Sequence, residues 1–378
     1  MSHATDEALR RAVRGLADEA RPVTNLAPIA MARGQRVRRR RRAVGVAATV
    51  AVIGALTAPF VWLRPGPGPE LATPTGGVAP VNGYPGAPAE PPPGAGAPWT
   101  YVPLPLSDKL MVVGGTTTGS PGGRPYVFDR TRNQYVTFSE YDEIWAAPRG
   151  NFAAAYDYSR PEETGLLDVP TGAVTWVPTG NHRMHPQWSP DGRLLLLTLP
   201  TKGSTGGYTA VIVTAADGRA RRFGVDGQKF PCTEYCQFTW MPDGNEIAFP
   251  QDDPSRARQP DGRPPRRGLQ LFSADEVRPT RLLPIRGDVD GTYSWSPDGQ
   301  LAVVQAERDV QLTTVSTGAV VGTLTRADAH WLTDDRLMYL TTDRERQVAT
   351  ETDLKGKKVR EVPLPVELTG RLLFVGAR

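Results

Sequence analysis

Trp188–Thr198 reads WSPDGRLLLLT, and two later stretches repeat it: Trp240–Phe249 (WMPDGNEIAF) and Trp295–Val304 (WSPDGQLAVV). Weaker copies stand at Trp331–Leu340 (WLTDDRLMYL) and Trp145–Tyr156 (WAAPRGNFAAAY), so the five tryptophans are 43, 52, 55 and 36 residues apart. In each strong copy, proline sets φ for a turn, aspartate can bond the backbone two residues on, and glycine supplies a positive φ. The tryptophan therefore ends one strand and the apolar run begins the next. Strand-turn-strand units repeating every ~40 to 50 residues are the mark of propeller blades.

The residues expected to build the repeat are Trp188, Asp191 and Gly192; Trp240, Asp243 and Gly244; Trp295, Asp298 and Gly299; and Trp331 with Asp334. Residues 99–378 divide on this basis into six blades, at about 100–139, 140–180, 181–226, 227–288, 289–328 and 329–364. Arg371–Val375 (RLLFV) looks like one more motif strand, so both chain ends are expected to close the ring and remove free sheet edges. Tyr101–Gly114 and Val362–Gly376 also resemble one another, which leaves a seventh, split blade as the alternative. With these W-S-P-D-G turns the region resembles the TolB-like and WD-repeat-like propellers of bacterial envelope proteins. It departs from WD repeats proper, because no Gly-His and Trp-Asp pair marks each blade.

Residues 1–42 differ in kind. Eleven arginines stand there against Asp6, Glu7, Asp18 and Glu19, a net +7; the whole chain carries +4, so the other 336 residues sum to −3. The basic balance is local and gives no reason to expect nucleic-acid binding by the large domain. Thr5 followed by Asp6 and Glu7 reads as a helix start, with Leu9, Val13, Leu16 and Ala20 on one stripe. So short a helix needs a partner to be stable in water. The alternative is a frayed segment whose arginines only set topology and touch anionic lipid.

Ala43–Leu63 are 21 residues without a charge, ending in Pro59 and Trp62, and Arg38–Arg42 abut them. About 20 apolar residues span a bilayer, and the positive-inside rule places residues 1–42 in the cytoplasm and 64–378 outside. A cleaved signal peptide would have a shorter apolar core and an A-x-A-like site. Residues 64–98 hold eleven prolines and eight glycines, a spacer.

Little in the sequence points to catalysis. No G-x-S-x-G nucleophile elbow occurs, although propeller relatives among the prolyl oligopeptidases carry a hydrolase domain. His182 and His185 form H-x-x-H without an accompanying carboxylate pattern, weak for metal. Asp288 and Asp290 hint at a calcium loop whose other ligands are missing, and the one-per-blade motif aspartates are accounted for by their turns. No catalytic, metal-binding or cofactor-binding residue is expected, and no cofactor. Cys232 and Cys236, in an oxidising compartment, are expected to form a disulfide between blades three and four, with free thiols or a partial metal site as the alternatives.

In a propeller, the first-to-second-strand turns lie on one face, and the second-to-third-strand and blade-to-blade connections lie on the other. The latter are long and unequal here: Gly114–Gly123, Pro200–Gly207 and Gln251–Arg267. Such loops on a rigid scaffold commonly carry recognition. Arg256, Arg258, Arg263, Arg266 and Arg267 are expected at the rim of that face, unless Gln251–Arg267 is merely a tolerated insertion. The expectation is a non-enzymatic, membrane-tethered, extracytoplasmic propeller that scaffolds or binds a protein or envelope ligand. The alternative is a signalling protein, because the arrangement also resembles actinobacterial single-pass anti-sigma factors, with a sigma factor as cytoplasmic partner of residues 1–42.

Overall fold

The computed structural model describes residues 100, 102–116, 124–181, 184–201, 207–258, 262–326, 328–343 and 346–378. The cytoplasmic segment, the membrane span and the linker expected over residues 1–98 lie outside them. Among the described residues no helix is long and apolar enough to cross a membrane.

The described residues form an all-β ring of six antiparallel sheets. Blade one holds β1 (Leu110–Thr116), β2 (Tyr126–Asp129) and β3 (Gln134–Thr137). Blade two follows with β4 (Glu143–Ala146), β5 (Phe152–Tyr156), β6 (Glu163–Asp168) and β7 (Val174–Pro178). Blade three has β8 (Gln187–Trp188), β9 (Leu194–Pro200), β10 (Tyr208–Thr214) and β11 (Ala220–Val225). Blade four has β12 (Thr239–Trp240), β13 (Glu246–Asp252), β14 (Arg266–Ser273) and β15 (Pro279–Leu283). Blade five keeps three full strands, β16 (Leu301–Gln305), β17 (Val310–Thr314) and β18 (Val320–Leu324); its innermost strand shrinks to a single bridge from Trp295 to Ala302. Blade six has β19 (His330–Thr333), β20 (Arg336–Asp343), β21 (Arg346–Asp353) and β22 (Lys358–Pro363).

The last strand, β23 (Leu372–Ala377), then pairs with β1, from Leu110 opposite Ala377 to Thr116 opposite Leu372. This corrects the seven-bladed alternative. The two similar end segments do not make a blade of their own; they meet inside blade one, where the C-terminus supplies one strand and the N-terminal part three. Closure of this kind leaves no open blade at the seam.

The apolar run after each motif glycine is buried on both faces. Leu195, Leu197 and Leu199 pack with Trp145, Ala154, Tyr156 and Leu166 of blade two. Leu196, between them, packs toward Trp240, Phe238 and Phe249 of blade four. A strand clasped between two sheets has no solvent side, so it reads as continuous rather than alternating hydrophobicity.

Three motif tryptophans also join blade to blade. The indole N–H of Trp188 donates to the Trp145 carbonyl at 2.9 Å, that of Trp240 to Gln187 at 3.0 Å, and that of Trp331 to Ser294 at 3.1 Å. Trp295 breaks the series, because its buried Nε1 has no hydrogen-bond partner among the described residues. Here the chain enters blade five through a short 3-10 turn, Thr292–Ser294, and leans across the ring instead. Thr292 Oγ1 donates to the Trp188 carbonyl at 3.3 Å, and Gln187 Nε2 donates to the Asp290 carbonyl at 3.3 Å, joining blades that are not neighbours.

Candidate binding face

The motif turns occupy one face, and their polar groups are consumed locally. Ser189 Oγ donates to Asp191 at 2.6 Å, and Asp191 accepts the Arg193 N–H at 3.0 Å. Ser296, Asp298 and Gln300 repeat this at 2.6 and 3.0 Å. Blade four lacks the serine but keeps the bond from Asn245 N–H to Asp243 at 3.0 Å. Gly192, Gly244 and Gly299 all take φ near +70°, and a Cβ on Gly192 would run into the Arg149 carbonyl. The Ser296 hydroxyl holds the Asp298 carboxyl below the usual range, and the Thr333 hydroxyl does the same to Asp335.

Blade six carries a correction. Thr333 bonds Asp335 at 2.6 Å, so Asp335 and not Asp334 fills the motif role. A register shift between Trp331 and Thr333 moves the pattern one residue along. Asp334 instead accepts the Asp298 N–H at 3.1 Å, tying two turns together.

The opposite face is built differently, and a buried ion cluster lies on it where blades three, four and five meet. Cys232 and Cys236 are linked by a disulfide, with Cα atoms 5.8 Å apart, in the connection from β11 to β12. This connection lies against the β13–β14 loop: the Asp252 N–H donates to the Pro231 carbonyl at 2.7 Å. Arg266 is the hub between them. Its guanidinium pairs with Asp252, donates through Nε to Asp288 at 2.8 Å and through Nη2 to the Glu234 carbonyl at 2.5 Å, and reaches Cys232 Sγ at 3.5 Å. Asp252 in turn accepts the Thr233 N–H at 2.9 Å and its hydroxyl at 3.0 Å.

The Arg266 side chain is only 4% exposed and that of Asp252 8%. Burial pushes the Asp288 carboxyl up, against the pull of Arg266. A buried charge survives only when paired and fully hydrogen-bonded, and the planar fork of arginine is suited to serving several acceptors at once.

The five loop arginines are thus not one class. Arg256 pairs with Glu307 of blade five at 3.1 Å, and Arg258 with Glu234 of the disulfide loop at 3.2 Å, both half-exposed. Arg263 is half-buried beside a small cleft lined also by Arg286, Asp288 and Glu307. Arg266 is a buried hub rather than a rim residue, a correction to the sequence expectation. Arg267, next along β14, is exposed on the other side of the strand, as the two-residue period of a strand requires. Residues 259–261 lie outside the described residues, as do 117–123 and 202–206 of the other variable loops.

Tyr235, at the tip of the disulfide loop, was not singled out from sequence. It takes φ +53° and is 67% exposed. Left-handed backbone in a non-glycine residue costs ~1–3 kcal/mol and persists only where the surroundings over-determine it; here the disulfide on both sides and Arg266 beneath supply that constraint. Tyr158, in the β5–β6 connection of the same face, is also exposed, and its hydroxyl bonds Glu143.

The remaining candidates are absorbed by structure. His185 stacks on Trp145 at 4.6 Å, and its carbonyl accepts Gln237 Nε2 at 2.7 Å. His182 and His3 lie outside the described residues. His330 sits against Tyr293 at 5.4 Å, and burial holds its imidazole below the usual range. Asp288 is one of the two carboxylates that pair with Arg266. Among the described residues no group of three His, Cys, Asp or Glu side chains is placed to hold a metal ion.

No protein-family model matches the chain, and no curated protein matches it. Solved structures do. TolB from Acinetobacter baumannii is similar at 17% identity over 70% of this chain and 65% of its own, with a TM-score of 0.44, so the chain spans less than two thirds of that relative. The β-propeller domain of the Trilobed protease from Pyrococcus furiosus matches at 11% identity over 70% and 96%, with a TM-score of 0.43. A protein of unknown function from Bacteroides caccae matches at 11% identity over 72% and 99%, with a TM-score of 0.42. These are likenesses at low identity; the six-bladed ring of this chain rests on its own strand pairing.

Proposed function

We propose that this chain is a membrane-tethered, extracytoplasmic β-propeller that binds a protein or envelope ligand through its variable face and performs no chemistry of its own. The observation that carries the reading is Tyr235: an exposed aromatic residue on a disulfide-closed loop, next to Glu234, whose carbonyl accepts from the buried Arg266 and whose carboxylate pairs with Arg258. Rigid aromatic and arginine groups are over-represented among residues that dominate binding energy. A loop backbone already closed by a disulfide also loses little freedom on association.

The test uses the full chain in its own membranes, with a photo-crosslinking side chain at position 235 or, on the motif face, at Gln300. A specific adduct is expected from position 235 alone. Tyr235→Ala should weaken capture of the partner so identified by about 30-fold or more, the range of a binding hot spot, without changing the melting temperature. Adducts from Gln300 and none from position 235 would move the site to the other face.

The tether is tested separately. A reporter active only outside the cytoplasm, fused after Arg378, is expected to be active because the arginine block holds the N-terminus inside. An inactive fusion, together with a working cytoplasmic reporter at the same point, would overturn the topology.

A further inference from the structure

The outermost strands of the ring differ in how they are guarded against pairing with another chain. β3 has only four residues, two of them buried, and β7 ends in Pro178. β11 carries Arg221 and Arg222, which bond the carbonyls of Asp275 and Pro178 in the flanking blades, both at 2.5 Å. β15 begins with Pro279, and its Arg281 pairs with Glu246 at 2.9 Å. β22 carries Lys358, Arg360 and Glu361, and Arg360 reaches the Leu106 carbonyl at 2.6 Å. β18 reads VVGTL: no charge, no proline, and Val320 and Val321 are more than half exposed. A bare apolar edge of this kind is what soluble proteins ordinarily avoid.

Beside β18, toward blade six, runs a groove of about 280 Å³ lined by Thr323, Tyr339, Thr341, Thr350 and Thr352, with Lys355. Among the described residues no acidic side chain lines it. Arg326, also at the groove, is paired with Asp328 at 2.5 Å, whereas the Lys355 ammonium has no ion pair among the described residues.

We propose that β18 and this groove form a strand-addition site for an extended acidic peptide. The peptide backbone would pair with the outward N–H and C=O groups of β18, and alternate side chains would drop toward blade six. There the hydroxyls of Thr323 and Thr350 can donate to a carboxylate, and Lys355 supplies the opposite charge. A second copy of this chain fits less well, because the side chains of β18 itself bring no acid to Lys355. The site is remote from the Tyr235 loop in the fold's plan, on an outer strand rather than a loop face, and does not depend on the reading given above.

The probe is a fluorescent peptide of alternating valine and glutamate, compared with its valine–lysine counterpart, against the full chain in detergent micelles. Anisotropy should show the acidic peptide binding at least about tenfold more tightly, with amide-exchange protection rising over Val320–Leu324. Lys355→Glu, at an exposed turn, should remove or invert the preference, and Val321→Pro should abolish binding. Because proline in a strand can unfold a blade, the Lys355→Glu charge swap and the exchange map stand on their own. Equal binding of the two peptides, or no added protection in β18, would overturn the proposal. Self-association abolished by Val321→Pro, without peptide binding, would assign the edge to a second copy and overturn it equally.

Discussion

Arg266→Ala should destabilise the propeller by ~3–5 kcal/mol at neutral pH, the range for removing one partner of a buried ion pair. Asp252 would remain a buried carboxylate whose guanidinium partner has gone, and the Glu234 carbonyl would lose its donor. The deficit should depend on pH in a definite direction. Burial already raises the Asp288 carboxyl, and losing the cation beside it raises it further. A carboxylate whose folded pKa exceeds its unfolded value near 4 binds more protons in the native state, so that state is favoured below the window and loses ground as pH rises through it. Unfolding of the variant and the parent in urea should therefore differ less at pH 4 than at pH 7. A deficit that does not change with pH would mean that lost packing, not charge, dominates.

The same substitution should loosen the disulfide loop, because Arg266 of the β13–β14 hairpin donates to the loop carbonyl at Glu234 and pairs with Asp252, which in turn holds Thr233. Faster amide exchange over Thr233–Gln237 at a pH where the variant is still folded is the expected sign. Replacing Arg266, Asp252 and Asp288 together by apolar residues should restore only part of the stability. Buried ion pairs can often be exchanged for hydrophobic contacts at little cost, but the Thr233 N–H and the Glu234 carbonyl would stay without partners, and unsatisfied buried groups cost ~1–3 kcal/mol each.

How much of this could be read in the chain beforehand follows the range of the interactions. The W-S-P-D-G turns are legible because serine and aspartate satisfy the turn's own polar groups within five residues. Blade number was not settled locally, since it depends on whether residues near 375 pair with residues near 112, a fact of ring closure. Asp334 stands at the motif distance from Trp331, but the bulge between Trp331 and Thr333 shifts the role to Asp335. Arg266 looked like one of five surface arginines. Its burial is decided by Asp252 and Asp288, 14 and 22 residues away, and by strand alternation that turns Arg267 outward. Tyr235 was legible only as a tyrosine between two cysteines, because its display depends on a backbone angle and on the hub beneath it.

The largest loss from a single apolar change is expected at Trp240, which is fully buried between blades three and four. Trp240→Ala should cost ~3–5 kcal/mol, the range for deleting a large core aromatic and leaving a cavity. The tryptophan-to-phenylalanine series separates packing from hydrogen bonding. At Trp188, Trp240 and Trp331, phenylalanine removes the indole donor and leaves a neighbouring carbonyl unsatisfied, at ~1–3 kcal/mol each. Trp295 has no such bond to lose among the described residues, and a buried Nε1 without a partner there weighs against the folded state. Trp295→Phe should therefore be the mildest of the four, although Trp295 is as thoroughly buried as Trp331. Urea midpoints for the four variants would decide it. If Trp295→Phe falls in line with the other three, the blade-to-blade hydrogen bonds contribute little, and the ring is held by tryptophan packing alone.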